Sequence, residues 1–186
     1  MLVVNKLNFK EALDFVKCAI SKDENRPLLT GIHLFIKDNR LTVEAVDGFR
    51  VMQTSISIDE HTEIQPFDYT FSYNMQMKAN KRDVHNLIQI DVSDKIITFT
   101  DISTNQAISY PVIQGEFFNT EPLWPGYQPD YTVSLNPKYL AQLATAYKDD
   151  RDGIMLKFYG DHKPVIVVGQ SEDKQNNRAM VLPLRK

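Results

Sequence analysis

A single cysteine, Cys18, stands among 186 residues, so no internal disulfide can staple the chain, and a reducing cytoplasm is the compartment expected. No apolar run approaches the ~18 residues that a membrane-spanning helix needs. Residues 1–13 also lack the continuous apolar stretch and small-residue cleavage site of a secretory leader. No membrane partner is expected. Seven glycines and nine prolines are too few for collagenous or low-complexity character. Charge of one sign is missing as well: 21 basic residues face 24 acidic ones, for a net charge of −3. Such a balance argues against indiscriminate coating by nucleic acid, and leaves room for a locally basic face.

Chemical signatures are equally sparse. There is no Walker loop, no dinucleotide fingerprint and no Cys-x-x-Cys pair. The four histidines, His33, His61, His85 and His162, stand apart without metal-ligand spacing, as surface or strand residues would. Residues 148–153 brush against a calcium-loop pattern but put Lys148 at its first ligand position and Tyr159 at its twelfth, where a glutamate is needed. That stretch reads as a helix-ending turn. With no catalytic constellation, no metal site and no cofactor expected, the chain reads as a binding protein and not an enzyme.

What is present is an ordinary globular composition, 42% apolar and 24% charged, in a length suited to one generous domain or one and a half small ones. Phe9, Ala12, Leu13, Val16, Ala19 and Ile20 fall at helical spacing after Asn8, which predicts a helix over 9–21 capped by that asparagine, with Cys18 as a small core residue on its inner side. Alternating or apolar runs at 31–37, 40–46 and 50–58 follow, punctuated by Asp38-Asn39 and Asp47-Gly48, and read as strands. A second cycle predicts a strand over 67–73, a short helix over 75–80 after Asn74, and strands over 87–92, 95–101 and 106–113. A third predicts a strand over 131–135, then a helix opened by Asn136-Pro137 with Leu140, Leu143, Ala144 and Tyr147 on its apolar side. Strands over 153–159, 163–169 and 178–184 close the chain.

The asparagines Asn8, Asn74 and Asn136 recur at spacings of 66 and 62, and Leu7-Asn8-x-Lys10 is echoed by Leu135-Asn136-x-Lys138. Three copies of a strand–helix–strand–strand–strand unit account for this, against the alternative of a generic α+β domain with one accidental match. Three prolines and a glycine within 121–129 mark a linker before the third copy.

Four segments resemble the bacterial sliding clamp family, the beta subunit of DNA polymerase III. Residues 41–51 resemble its L-x-x-x-A-T-D-G-x-R-L signature, matching at Ala45, Asp47, Gly48 and Arg50, with Val46 and Val51 replacing the usual threonine and leucine. Residues 26–31 resemble the approach to the preceding strand. Residues 114–118 resemble the D-G-x-F-P element, with Trp124-Pro125 following at the expected distance, and 181–186 resemble the closing V-M-P-M-R-L. The resemblance implies an α+β, DNA-clamp-like fold with helices on one side of antiparallel sheets. Residues 1–128 would form one complete clamp-like domain of two units, and 129–186 half of another. Segments matching the family's first domain, and the first half of its last, are not in this sequence.

In that family, partner proteins insert a short peptide, often like Gln-Leu-x-Leu-Phe, into an apolar pocket. Its positions carry over onto Leu29, Val46, Gly48, Phe49, Arg50, Val51, Phe118 and Leu123, and onto Tyr139, Leu182, Pro183, Leu184 and Arg185. Gly48 can take a positive φ and let another backbone approach, and Pro183 suits an edge because it cannot donate to a ladder. The resemblance also implies a DNA-facing surface carrying Lys10, Lys17, Lys22, Lys78, Lys81, Arg82, Lys138 and Lys148, meeting phosphates without reading sequence. The partners expected are polymerase or clamp-loader subunits, with duplex DNA and further copies of the chain beside them. A DNA-independent adaptor or decoy for clamp-binding motifs is the alternative.

Overall fold

The computed structural model describes residues 1–74, 77–79, 86–93, 95–171 and 177–184. The chain divides into two compact units, Met1–Leu123 and Trp124–Lys186, and the boundary falls inside the proline-rich 121–129 stretch.

Unit 1 is built on an eight-stranded antiparallel sheet. Its elements are β1 (Leu2–Asn5), α1 (Lys6–Val16), β2 (Gly31–Lys37), β3 (Arg40–Val46), β4 (Val51–Ser57), β5 (Asp68–Ser72), β6 (Leu87–Ser93), β7 (Ile96–Asp101) and β8 (Gln106–Ile113). The strand order β1-β6-β7-β8-β5-β2-β3-β4 shows two repeats. Each is a meander of three strands, and each lends its first strand to the other. Thus β1 pairs with β6, Val4 opposite Ile88, while β5 pairs with β2, Phe71 opposite Ile32. A bridge between Val4 and Ile58 ties β1 back to the end of β4. The core gathers Val4, Phe9, Leu13, Ile32, Leu34, Leu41, Val43, Phe71, Ile90, Ile97 and Phe99, with Phe9 and Phe71 both against Phe99 at centroid distances of 5.5 and 5.1 Å.

Helix α1 begins earlier than its apolar spacing predicts. Its cap is Asn5, whose side chain accepts from the backbone N–H of Asn8 at 3.0 Å, so Asn8 is the third helical residue. The helix ends at Val16, and a 3-10 turn over Lys17–Ala19 leaves Cys18 exposed with its thiol toward the Phe15 carbonyl. Cys18 is therefore no core residue; at about 100° per residue it falls on the side of the helix opposite the buried stripe of Phe9, Ala12, Leu13 and Val16. The short helix expected over 75–80 has no counterpart at 77–79, which are irregular, and its other residues lie outside those described.

Gly31 sits where β2 meets β5 and β8. A Cβ there would come within 2.4 Å of the Phe71 carbonyl oxygen and 2.8 Å of Ile113 Cδ1. Gly31→Ala is expected to cost about 1–3 kcal/mol as the strands are forced apart. Chemical denaturation reads this directly, and an unchanged midpoint would show that the strands yield freely.

Unit 2 holds α2 (Pro137–Ala146), β9 (Ile154–Lys157), β10 (Val165–Gly169) and β11 (Arg178–Val181), with the strands in the order β11-β10-β9. Asn136 caps α2, accepting from the Lys138 N–H at 2.9 Å, and Pro137 takes the first helical position. Residues 131–135, expected as a strand, join no sheet among the described residues; the Ser134 carbonyl accepts from the Leu184 N–H at 2.8 Å, and the Thr132 N–H donates to Asp161 Oδ1 at 2.9 Å. The acidic turn after α2 has a structural use. Asp150 is buried and accepts from the backbone N–H groups of Asp152, Gln170 and Ser171, fastening the turn to the end of β10. No grouping of potential metal ligands occurs among the described residues.

Candidate peptide-binding cleft

The β3–β4 hairpin of unit 1 turns in four residues, 47–50. The Asp47 carboxylate accepts from the backbone N–H groups of Phe49 (3.0 Å) and Arg50 (3.1 Å), and from Arg50 Nε (2.7 Å). Arg50 beside it holds the Asp47 carboxyl below its ordinary value. Gly48 has φ +91°, and a Cβ there would be strained and 3.2 Å from the Arg26 guanidinium. This tight turn holds the Phe49 ring out in solvent, 98% exposed. An aromatic displayed so completely by a reinforced turn stabilises nothing in unit 1 by itself.

Opposite the turn runs the 114–123 segment, which crosses the outer face of β2 and β3. That face carries two buried polar residues paired across the strands, His33 opposite Glu44. Phe117 stacks on His33 with centroids 4.1 Å apart and planes 5° from parallel. The Thr120 hydroxyl donates to Glu44 Oε2 at 2.6 Å, as does Gln53 Nε2, while Lys37 pairs with Glu121 at 2.5 Å. Burial raises the Glu44 carboxyl against the lowering effect of Thr120 and Gln53, and lowers His33 to about 4. With Phe117 and Thr120 anchored inward, their neighbours Phe118 and Leu123 face out, each about half exposed.

Between turn and segment lies a cleft of about 770 Å³. Its walls include Leu29, Val46, Gly48, Phe49, Arg50, Val51, Phe118 and Leu123. All eight residues of unit 1 that the sequence nominates therefore line one concavity. Sequence reasoning passed over Arg26, Pro27, Leu28, Gln114 and Glu116, which also line it; they lie in the 26–31 and 114–118 segments that carried the resemblance. It also passed over His33 and Glu44, whose role as anchors shows only in the packing.

In unit 2, Leu182, Pro183 and Leu184 line a separate hollow of about 670 Å³ with Thr132, Ser134, Asp161 and His162. Tyr139 lies exposed on α2, and Arg185 is outside the described residues. Of the lysines nominated for DNA, Lys10 and Lys17 both pair with Asp14, the latter at 2.7 Å. Lys22, Lys78, Lys138 and Lys148 are exposed, while Lys81 and Arg82 lie outside the described residues.

The sequence profile of the DNA polymerase III beta subunit, central domain, matches residues 3–119, more than half of the chain. The chain belongs to this family. No curated protein sequence matches it. Among solved structures, the DNA polymerase sliding clamp from Bacillus subtilis superposes with a TM-score of 0.76 at 15% identity, covering 98% of this chain and 48% of the clamp. The beta subunit from DNA polymerase of Streptococcus pyogenes gives 0.76 at 15% identity, covering 99% and 50%. The subunit from Borrelia burgdorferi, solved in complex with a natural product, gives 0.75 at 14% identity, covering 97% and 47%. At these identities the likeness shows the fold, an α+β sliding-clamp architecture. The chain spans about half the length of these beta subunits. No helix among its described residues is long and apolar enough to cross a membrane.

Proposed function

We propose that this chain is a clamp-like protein of DNA replication whose unit 1 cleft captures a short peptide from a polymerase or clamp-loader subunit. The observation that carries the reading is that the eight unit 1 residues onto which the family resemblance carries the pocket all line one apolar cleft. The cleft volume is in the range of small-ligand sites and suits two or three side chains of an extended peptide. Apolar walls from Leu29, Val46, Val51, Phe118 and Leu123 take leucine and phenylalanine side chains, while Arg26, Arg50 and Glu116 offer polar contacts to the peptide backbone. The protein contributes no covalent chemistry in this reading; binding is the whole function. Titration of a Gln-Leu-x-Leu-Phe peptide by calorimetry tests it. Saturable binding is expected, and heats of dilution alone would refute it.

Sliding on duplex DNA is the finer part of the proposal. It is supported by the exposed Lys22, Lys138 and Lys148, and opposed on α1 by Asp14, which neutralises part of the Lys10–Lys17 stripe. Weak, sequence-blind binding is expected in low salt, weakening steeply as salt rises. Asp14→Asn should strengthen it. Fluorescence anisotropy with two unrelated duplexes checks this, and no low-salt affinity beside intact peptide binding would select the DNA-independent adaptor.

A further inference from the structure

We infer that unit 2 pairs with the unit 2 of a second copy of this chain, each lending residues 131–135 as an outer strand to the other's β9. The template is unit 1. There, the first strand of the first repeat is held on two sides. The Val3 carbonyl accepts from the Asp59 N–H of its own repeat at 2.8 Å, and β1 as a whole pairs with β6 of the other repeat. The second repeat reciprocates, with β5 pairing with β2.

Unit 2 shows half of this arrangement. Aligning the caps Asn5 and Asn136 puts Ser134 at the place of Val3, and the Ser134 carbonyl accepts from the Leu184 N–H, also at 2.8 Å. The own-repeat contact is thus in place. The other two edges are open: among the described residues no strand lies on the outer side of β9 or joins 131–135.

The side chains agree. The same alignment sets Leu140, Leu143, Ala144 and Tyr147 where α1 has Phe9, Ala12, Leu13 and Val16. The α1 residues are at most 4% exposed, and Phe9 reaches Phe99 in the other repeat. No residue of α2 is buried, Leu140 is 38% exposed, and Met155 and Leu156 on β9 are 44% and 38% exposed. An open, apolar edge with unpaired amides is a template for another strand. A second copy is the occupant this surface specifies, because the donor segment and the acceptor edge sit on the same unit. Such self-complementarity closes by a two-fold axis and needs no other partner.

Light scattering on the full chain at micromolar concentration tests this, with twice the 21.4 kDa chain mass expected. Thr132 N–H and the Ser134 carbonyl point to contacts within unit 2. The alternation of an extended chain therefore turns the Val133 amide to the open edge. Val133→Pro removes that donor, and Leu140→Lys puts a charge on the apolar helix face. Each is expected to give a monomer with the circular dichroism of the native chain, and if one misfolds the other decides. A native chain that runs as a monomer, or a dimer that persists in both variants, overturns the inference. Peptide binding by unit 1 is independent of either result.

Discussion

Phe118→Asp and Leu123→Asp are each expected to weaken a Gln-Leu-x-Leu-Phe peptide by about tenfold or more, with little change in the unfolding midpoint. Both side chains are about half exposed in unit 1, so neither stabilises the core much. Both line the apolar cleft, where a bound leucine or phenylalanine would strip water from the new carboxylate. Burying a charge against an apolar ligand costs several kcal/mol, and every ~1.4 kcal/mol is a factor of ten in affinity. Fluorescence polarisation with a labelled peptide, beside a denaturation curve for each variant, reads both quantities. Phe49→Ala belongs in the same series. Its ring contributes almost no folding contacts, so a loss of binding there would reflect the peptide alone. If all three variants bind as the native chain does, the peptide site lies elsewhere.

Unit 1 is expected to lose about 2–3 kcal/mol of stability through His33 alone between about pH 7.5 and about pH 4.5. His33 is buried on β2, stacked with Phe35 and Phe117, with Nδ1 at 3.2 Å from the Thr70 hydroxyl. Burial disfavours its charged form and lowers it from 6.5 to about 4. The unfolded chain therefore binds a proton below about pH 6.5 that the folded chain refuses until about pH 4, and stability falls as pH falls through that window. Glu44, opposite on β3, works in the other sense. Burial raises its carboxyl, so its ionisation above the ordinary glutamate value weighs against the fold. Asp68 Oδ1 is 3.8 Å from His33 Nε2, but its side chain is largely in solvent and is screened. His33→Phe keeps the aromatic stack and removes the titration. The gap between native and variant stability across the window isolates the histidine, and parallel curves would show that His33 is not held neutral. Since Phe117 rests on this ring, acid should also loosen the 114–123 wall of the cleft before the rest of unit 1.

Much of this protein was legible in its residues because the information is local. Strand runs at 31–37, 40–46 and 106–113 match β2, β3 and β8 because short alternating or apolar runs bounded by turn residues are a local record of a strand. The Asn136-Pro137 start of α2 was equally plain, since capping needs only neighbouring residues. The cap of α1 was misplaced by three residues because Asn5 and Asn8 are both competent, and only the pairing of β1 with β6 forces the chain to enter the helix at Lys6. That correction also changes the repeat. The echo of Leu7-Asn8-x-Lys10 in Leu135-Asn136-x-Lys138 is out of register, whereas aligning Asn5 with Asn136 brings the two helix faces into correspondence.

By itself the sequence determined most of the strand runs and the α+β class, which are written in periodicity, and the family, which is written in short contiguous motifs; the unit 1 cleft residues followed from that resemblance. Only the tertiary structure decided what depends on residues far apart in the chain. Burial of His33 and Glu44 beneath Phe117 and Thr120 requires a segment some eighty residues away to cross the outer face of β2 and β3. The exposure of α2 is also invisible in its sequence, since its apolar stripe matches that of α1; whether a stripe is buried depends on the strands opposite it, and no local pattern records those.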